Sequence, residues 1–189
     1  MLATKNRSHV YESQVYESKN YISSLLDETP LMLAIEEKDY DVLSILLTYE
    51  NPYEVNKFGT TAVSNACMNG DLESLTILHE HGVDINRIIP NADIPIIKAC
   101  LTGNLKLVDY LLKYGADLNS TDAFGRTPLM NAILDKNIKV IKYLLDKSEL
   151  NTIVFDIFGK TALYYALIGL PNELNLEIVD IMLFNKLMF

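Results

Sequence analysis

Five copies of one six-residue pattern run through this chain, and their spacing leaves few folds open. They read Thr29-Pro30-Leu31-Met32-Leu33-Ala34, Thr61-Ala62-Val63-Ser64-Asn65-Ala66, Ile94-Pro95-Ile96-Ile97-Lys98-Ala99, Thr127-Pro128-Leu129-Met130-Asn131-Ala132 and Thr161-Ala162-Leu163-Tyr164-Tyr165-Ala166. The closing alanines follow one another at 32, 33, 33 and 34 residues. A period near 33 predicts a solenoid of small units, none able to bury its apolar face alone. Such a scaffold offers a long surface and no enclosed pocket, so binding is its default work.

Residue chemistry between the copies points the same way. Asn56-Lys57-Phe58-Gly59, Asp122-Ala123-Phe124-Gly125 and Asp156-Ile157-Phe158-Gly159 place Asx first and Gly fourth, as a type I turn prefers. Ile89-Pro90-Asn91-Ala92 reaches a turn differently, with Pro second. A helix start follows each turn: Thr127 can cap through its hydroxyl, and Pro128 suits the first helical position. The common Ala predicts close helix packing. A second helix per unit is marked by apolar residues at helical spacing, such as Leu43, Leu46 and Leu47, or Val108, Leu111 and Leu112. Gly82 and Gly115 suit the left-handed end of two of these helices.

These motifs resemble the ankyrin repeat, whose signature is Thr-Pro-Leu-His-x-Ala in a unit of about 33 residues. Thr127 to Ala132 and the loop Gly115-Ala116-Asp117-Leu118-Asn119 match best. The resemblance implies an all-α solenoid of about five helix-turn-helix repeats with β-turn tips. Met32, Ser64, Ile97, Met130 and Tyr164 stand where the family has His, so its loop-bracing hydrogen bond is expected to be missing. The expected organisation is a flexible lead-in of residues 1–19 and one elongated repeat domain of residues 20–189. Its repeats fall near 28–56, 57–89, 90–122, 123–156 and 157–189.

Function follows from the same resemblance. Ankyrin proteins touch partners through turn tips and the exposed side of first helices. Carried over by position, those residues are Lys57, Phe58, Thr60, Met68 and Asn69, then Asn91, Asp93 and Leu101. They continue as Phe124, Arg126, Leu134 and Asp135, then Phe158 and Lys160. Phe58, Phe124 and Phe158 share one tip position, interrupted by Asn91. The resemblance also implies candidate hydroxylation of Asn86 and Asn119, each in a Leu-x5-Asp-x-Asn context; the alternative is a purely structural role in the loop.

Composition excludes other classes. The net charge of −9 disfavours nucleic acid and anionic membranes, whose phosphates need Lys and Arg. No run of 18 apolar residues exists, so no membrane span is expected, and Met1 to His9 lack a signal-peptide core. A cytoplasmic location is expected. Cys67 and Cys100 follow the repeat alanines and read as buried small side chains. His79 and His81, two apart, do not share a helix face, so neither a metal nor a cofactor is expected. No phosphate loop, nucleophile elbow or His-Glu-x-x-His is present, so no enzyme is expected.

The ends differ from the middle. Val10-Tyr11-Glu12-Ser13 and Val15-Tyr16-Glu17-Ser18 form a tandem copy, while Tyr21, Ile22, Leu25 and Leu26 suit a cover for the first repeat. Four extra residues around Pro171 predict a longer loop inside repeat five. The apolar tail beyond Ile181, with Leu187 and Phe189 folding back, would leave Ile181 and Phe184 outward and predicts self-association or a partner at this end. Eighteen Ile and sixteen Asn against eleven Ala suit an AT-rich genome. The expected function is therefore a protein-binding adaptor, extending to a pathogen protein that engages a host regulator such as an NF-κB-type factor in the host cytoplasm. The alternative is an endogenous scaffold or assembly chaperone.

Overall fold

The computed structural model describes the backbone of residues 28–169 and 172–187, and side chains of that range outside 172–175 and 184–187. The tandem copy with Tyr11 and Tyr16, and the expected cover at Tyr21 to Leu26, lie outside the described residues. Among the described residues the chain forms paired helices and turns. First helices are α1 (Pro30–Glu36), α3 (Ala62–Met68), α5 (Pro95–Thr102), α7 (Pro128–Leu134) and α9 (Ala162–Gly169). Second helices are α2 (Tyr40–Leu46), α4 (Leu72–Glu80), α6 (Leu105–Lys113), α8 (Ile138–Leu145) and α10 (Asn172–Leu187). Two compact units divide between Ala92 and Asp93, inside the third repeat.

The threonines start the first helices as their chemistry dictates. Thr29, Thr61 and Thr127 hold extended backbone and accept from Met32 N, Ser64 N and Met130 N at 3.3, 3.2 and 3.3 Å. Ile94 cannot do so, and α5 relies on Pro95 at its first position. Second helices are capped by Asp39, Asp71 and Asn104, each accepting a first-turn amide. Asp39 is thus a cap, where adjacent acidic residues had read as a solvated face.

Packing repeats within each unit. In the first, α1 packs on α3 and α2 on α4; in the second, α5 packs on α7 and α7 on α9, while α6 and α10 flank α8. Ala34, Ala66, Ala99, Ala132 and Ala166 are all fully buried. A methyl side chain there keeps neighbouring first helices close. Leucines of the second helices, such as Leu43, Leu75, Leu111 and Leu144, complete the core. Each contributes about 1.5–3 kcal/mol of burial. Cys67 and Cys100 are buried and free, and burial pushes the Cys100 thiol up to about 12.

Three expectations are corrected. The extra residues of repeat five do not lengthen a loop: only residues 170–171 separate α9 from α10, and the insertion extends α10 to sixteen residues. Pro171 sits just before Asn172, where a helix start tolerates it. The tail does not turn at Leu187, because α10 is still helical there. The missing His does not leave the turns unbraced either. One position later, Asn131 Nδ2 donates to Asp122 Oδ2 at 3.2 Å, and Tyr165 Oη donates to Asp156 Oδ2. At the His position itself, Ser64 completes a capping box with Thr61.

Asn137 joins two repeats. Its amide donates to Cys100 O at 3.0 Å and Leu101 O at 2.6 Å, satisfying carbonyls near the end of α5. Asn137→Ala removes both bonds, and partly buried carbonyls left unpaired cost about 1–3 kcal/mol. Urea unfolding of the variant is expected to show a loss in that range with an unchanged denaturant slope.

Candidate binding surface

One polar side chain at the start of each turn fixes the residue at its tip. Asn56 Oδ1 accepts from Phe58 N at 3.0 Å and Thr60 N at 2.9 Å. Asp122 Oδ1 accepts from Phe124 N and Arg126 N, both at 2.9 Å. Asp156 Oδ1 accepts from Phe158 N at 2.9 Å and Lys160 N at 2.8 Å. The turns close through Gly59 N, Gly125 N and Gly159 N to the same three residues. The third repeat differs: Ala92 N donates to Ile89 O, with Asn91 at φ 62. Pro second and a left-handed Asn third define a type II turn.

Neighbouring tips touch within each unit. A Cβ added at Gly59 would lie 2.8 Å from Asn91 O, and one at Gly125 would lie 3.2 Å from Ile157 N. Both glycines also hold positive φ, so any side chain there is strained twice. Ile157 N donates to Phe124 O at 3.0 Å, tying the fourth tip to the fifth.

The phenylalanines stand out from this braced backbone. Phe58 is 69%, Phe124 48% and Phe158 64% exposed. Cations lie against the aromatics: Lys57 Nζ is 5.1 Å from the Phe58 ring, Arg126 Cζ 4.6 Å from Phe124 and Lys160 Nζ 4.0 Å from Tyr164. Arg126 Nε also pairs with Asp122 Oδ2 at 3.0 Å. Met68, Asn69, Asn91, Leu134 and Asp135 are exposed as expected, and Leu101 is half-buried. Asp93 is half-buried and paired with Lys98 at 2.9 Å. Thr60 is corrected: it is buried, its amide held by Asn56, so it offers no contact side chain. Lys57, Phe58, Thr60, Met68, Asn69 and Asn91 belong to one unit; Asp93, Leu101, Phe124, Arg126, Leu134, Asp135, Phe158 and Lys160 belong to the other.

The other side of the second unit carries an open hollow of about 440 Å³ between α6, α8 and their following loops. Its charges pair among themselves. Tyr143 Oη donates to Asp109 Oδ1, and Lys147 Nζ lies 4.1 Å over the Tyr143 ring. Burial, then the bond to Asp109, raises the Tyr143 phenol. In the same hollow Asn119 donates to Glu149 O at 2.9 Å and accepts from Asn151 N at 2.7 Å. Sequence reasoning missed this bridge because residues 149–151 lie thirty positions on.

A family model described as ankyrin repeats, in three copies, matches residues 1–89 and again residues 96–187. The chain belongs to the ankyrin-repeat family, whose members serve generally as protein–protein interaction modules. No curated protein matches the chain. No helix among the described residues is long and apolar enough to cross a membrane.

The brace of the fifth tip titrates. Burial alone would raise the Asp156 carboxyl, but bonds from Tyr165 Oη, Lys160 N and Phe158 N outweigh it and hold the group below its usual range. The bond to Asp156, with burial, raises the Tyr165 phenol. The depressed carboxyl therefore stabilises above an unfolded pKa of about 3.9 and loses its contribution as pH falls through its lower folded value. The raised phenol stabilises below about pH 10 and loses its contribution as pH rises through its higher folded value. Tyr165→Phe is expected to raise the Asp156 pKa and move acid unfolding to higher pH. Carboxyl NMR titration with circular dichroism reads both.

Proposed function

We propose that this chain is a non-catalytic adaptor that binds a protein partner through its turn tips and the exposed side of its first helices. The observation that supports it is the pairing of exposed Phe58, Phe124 and Phe158 with backbone already fixed by Asn56, Asp122 and Asp156. A rigid aromatic anchor binds at low ordering cost, and such anchors dominate interface energetics. Lys57, Met68, Asn69, Asn91, Asp93, Leu101, Arg126, Leu134, Asp135 and Lys160 surround the anchors as rim, each within its own unit. The reading extends to a host regulator such as an NF-κB-type factor, engaged in the host cytoplasm, on the Ile- and Asn-rich composition. Crosslinking mass spectrometry in cells identifies the partner and separates this from an endogenous scaffold or assembly chaperone.

Phe124→Ala is expected to weaken partner binding tenfold or more, about 1.4 kcal/mol, with the thermal midpoint nearly unchanged. Titration calorimetry and a melting curve decide it; large destabilisation with unaltered affinity would sink the reading.

Asn86 and Asn119 retain the second role of hydroxylation substrates. Both amide atoms of Asn119 are already bonded to the next loop. Peptides containing Asn119 are therefore expected to be unmodified after expression in animal cells, and a mass gain of one oxygen would establish the modification instead.

A further inference from the structure

The repeats supply their own control for what the outer face of repeat five is built to do. Ile35, Cys67, Cys100 and Ile133 occupy one first-helix position, and all are fully buried. Leu167, at that position in α9, is 54% exposed. Met32, Ser64, Ile97 and Met130 are buried, whereas Tyr164 is 39% exposed. The same face continues on α10. Ile178 and Met182 turn inward, while Leu176 and Leu183 are 67% and 43% exposed. Asp180, also exposed, lies between them at helical spacing.

Aligning Val179 and Met182 with Val108 and Leu111 makes Asp180 the counterpart of Asp109, Leu176 of Leu105 and Leu183 of Leu112. Asp109 accepts the hydroxyl of Tyr143 from the following repeat. Asp180 presents the same acceptor with no bonded donor among the described residues. The terminal face thus repeats the apolar positions and the polar acceptor on which repeat four is seated.

We infer that the face formed by Tyr164, Leu167, Leu176, Asp180 and Leu183 docks a helical hairpin of another protein, one that brings a hydroxyl or ammonium donor to Asp180 between aliphatic contacts. A second copy of this chain fits worse. A two-fold pairing through this face would bring Asp180 towards its own equivalent, like charge to like charge. A head-to-tail pairing would need an open face on repeat one, where Leu31, Met32 and Ile35 are already buried. The surface is separate from the tips, so it stands whether or not Phe124 binds a partner.

The probe is a synthetic hairpin of residues 127–147, stapled within each helix, because this is the element that seats on the matching face of repeat three. Saturable binding to the full chain is expected by calorimetry. Leu167→Glu should weaken it at least tenfold at an unchanged thermal midpoint, and Leu183→Lys serves if that variant unfolds. Asp180→Ala should weaken the native hairpin severalfold and leave a Y143F hairpin unaffected, the coupling expected of a direct hydrogen bond. Phe124→Ala should change nothing. Absence of saturable binding, or binding indifferent to Leu167→Glu and Leu183→Lys, overturns the inference. So does a dimer in sedimentation that Leu167→Glu dissociates, since that assigns the face to a second copy.

Discussion

Side-by-side contact of first helices at their alanines is the interaction on which everything else in this chain depends. Helices α1 to α9 are seven to nine residues long, below the length at which an isolated helix holds in water. Their hydrogen bonds therefore persist only while a neighbour covers the apolar face. Ala34, Ala66, Ala99, Ala132 and Ala166 are fully buried, and a larger side chain there would push the helix pairs apart. Threonine caps and prolines favour each helix, but those local preferences amount to roughly 1 kcal/mol per cap, far less than the packing they prepare.

The tips convert this stacking into a presented surface. One Asx side chain per turn takes two backbone amides through one oxygen and leaves its second polar atom for the helix layer. Asn56 uses that atom as a donor to Glu28, at 3.2 Å to either oxygen. Asp122 and Asp156 use it as an acceptor, from Asn131 and Tyr165. The choice between Asn and Asp thus follows the partner available below. Phenylalanine at the tip is then held by its own amide, leaving its side chain free to meet a partner.

Much of the fold was legible in the sequence because its signals act over a few residues. Thr29, Thr61 and Thr127 cap amides three residues away, and Gly82 and Gly115 adopt the left-handed ends expected of them. The tip phenylalanines were legible for the same reason. What escaped depends on rotamers across longer separations. Tyr165 reaches Asp156 nine residues back, and Asn137 reaches Cys100 across a repeat. No periodicity distinguishes those side chains from solvated ones. Thr60 misled because its exposure is decided by Asn56 gathering the turn, not by its own polarity. Pro171 misled because proline forbids helix interiors yet suits the edge of a helix, and the insertion entered α10.

A repeat chain permits one argument that a unique fold does not. Equivalent positions share backbone geometry, so a difference in exposure between them measures the neighbour and not the residue. Leu134 and Ile168 are both exposed, and that position faces solvent in either repeat. Ile133 and Leu167 differ completely, although both are large aliphatics on successive copies of one helix. Burying a leucine of that size stabilises by about 1.5–3 kcal/mol. Repeats one to four realise that gain at this position from whatever follows them. Repeat five carries the side chain without the cover, and Asp180 stands beside it with the acceptor that, on repeat three, receives a neighbour's hydroxyl.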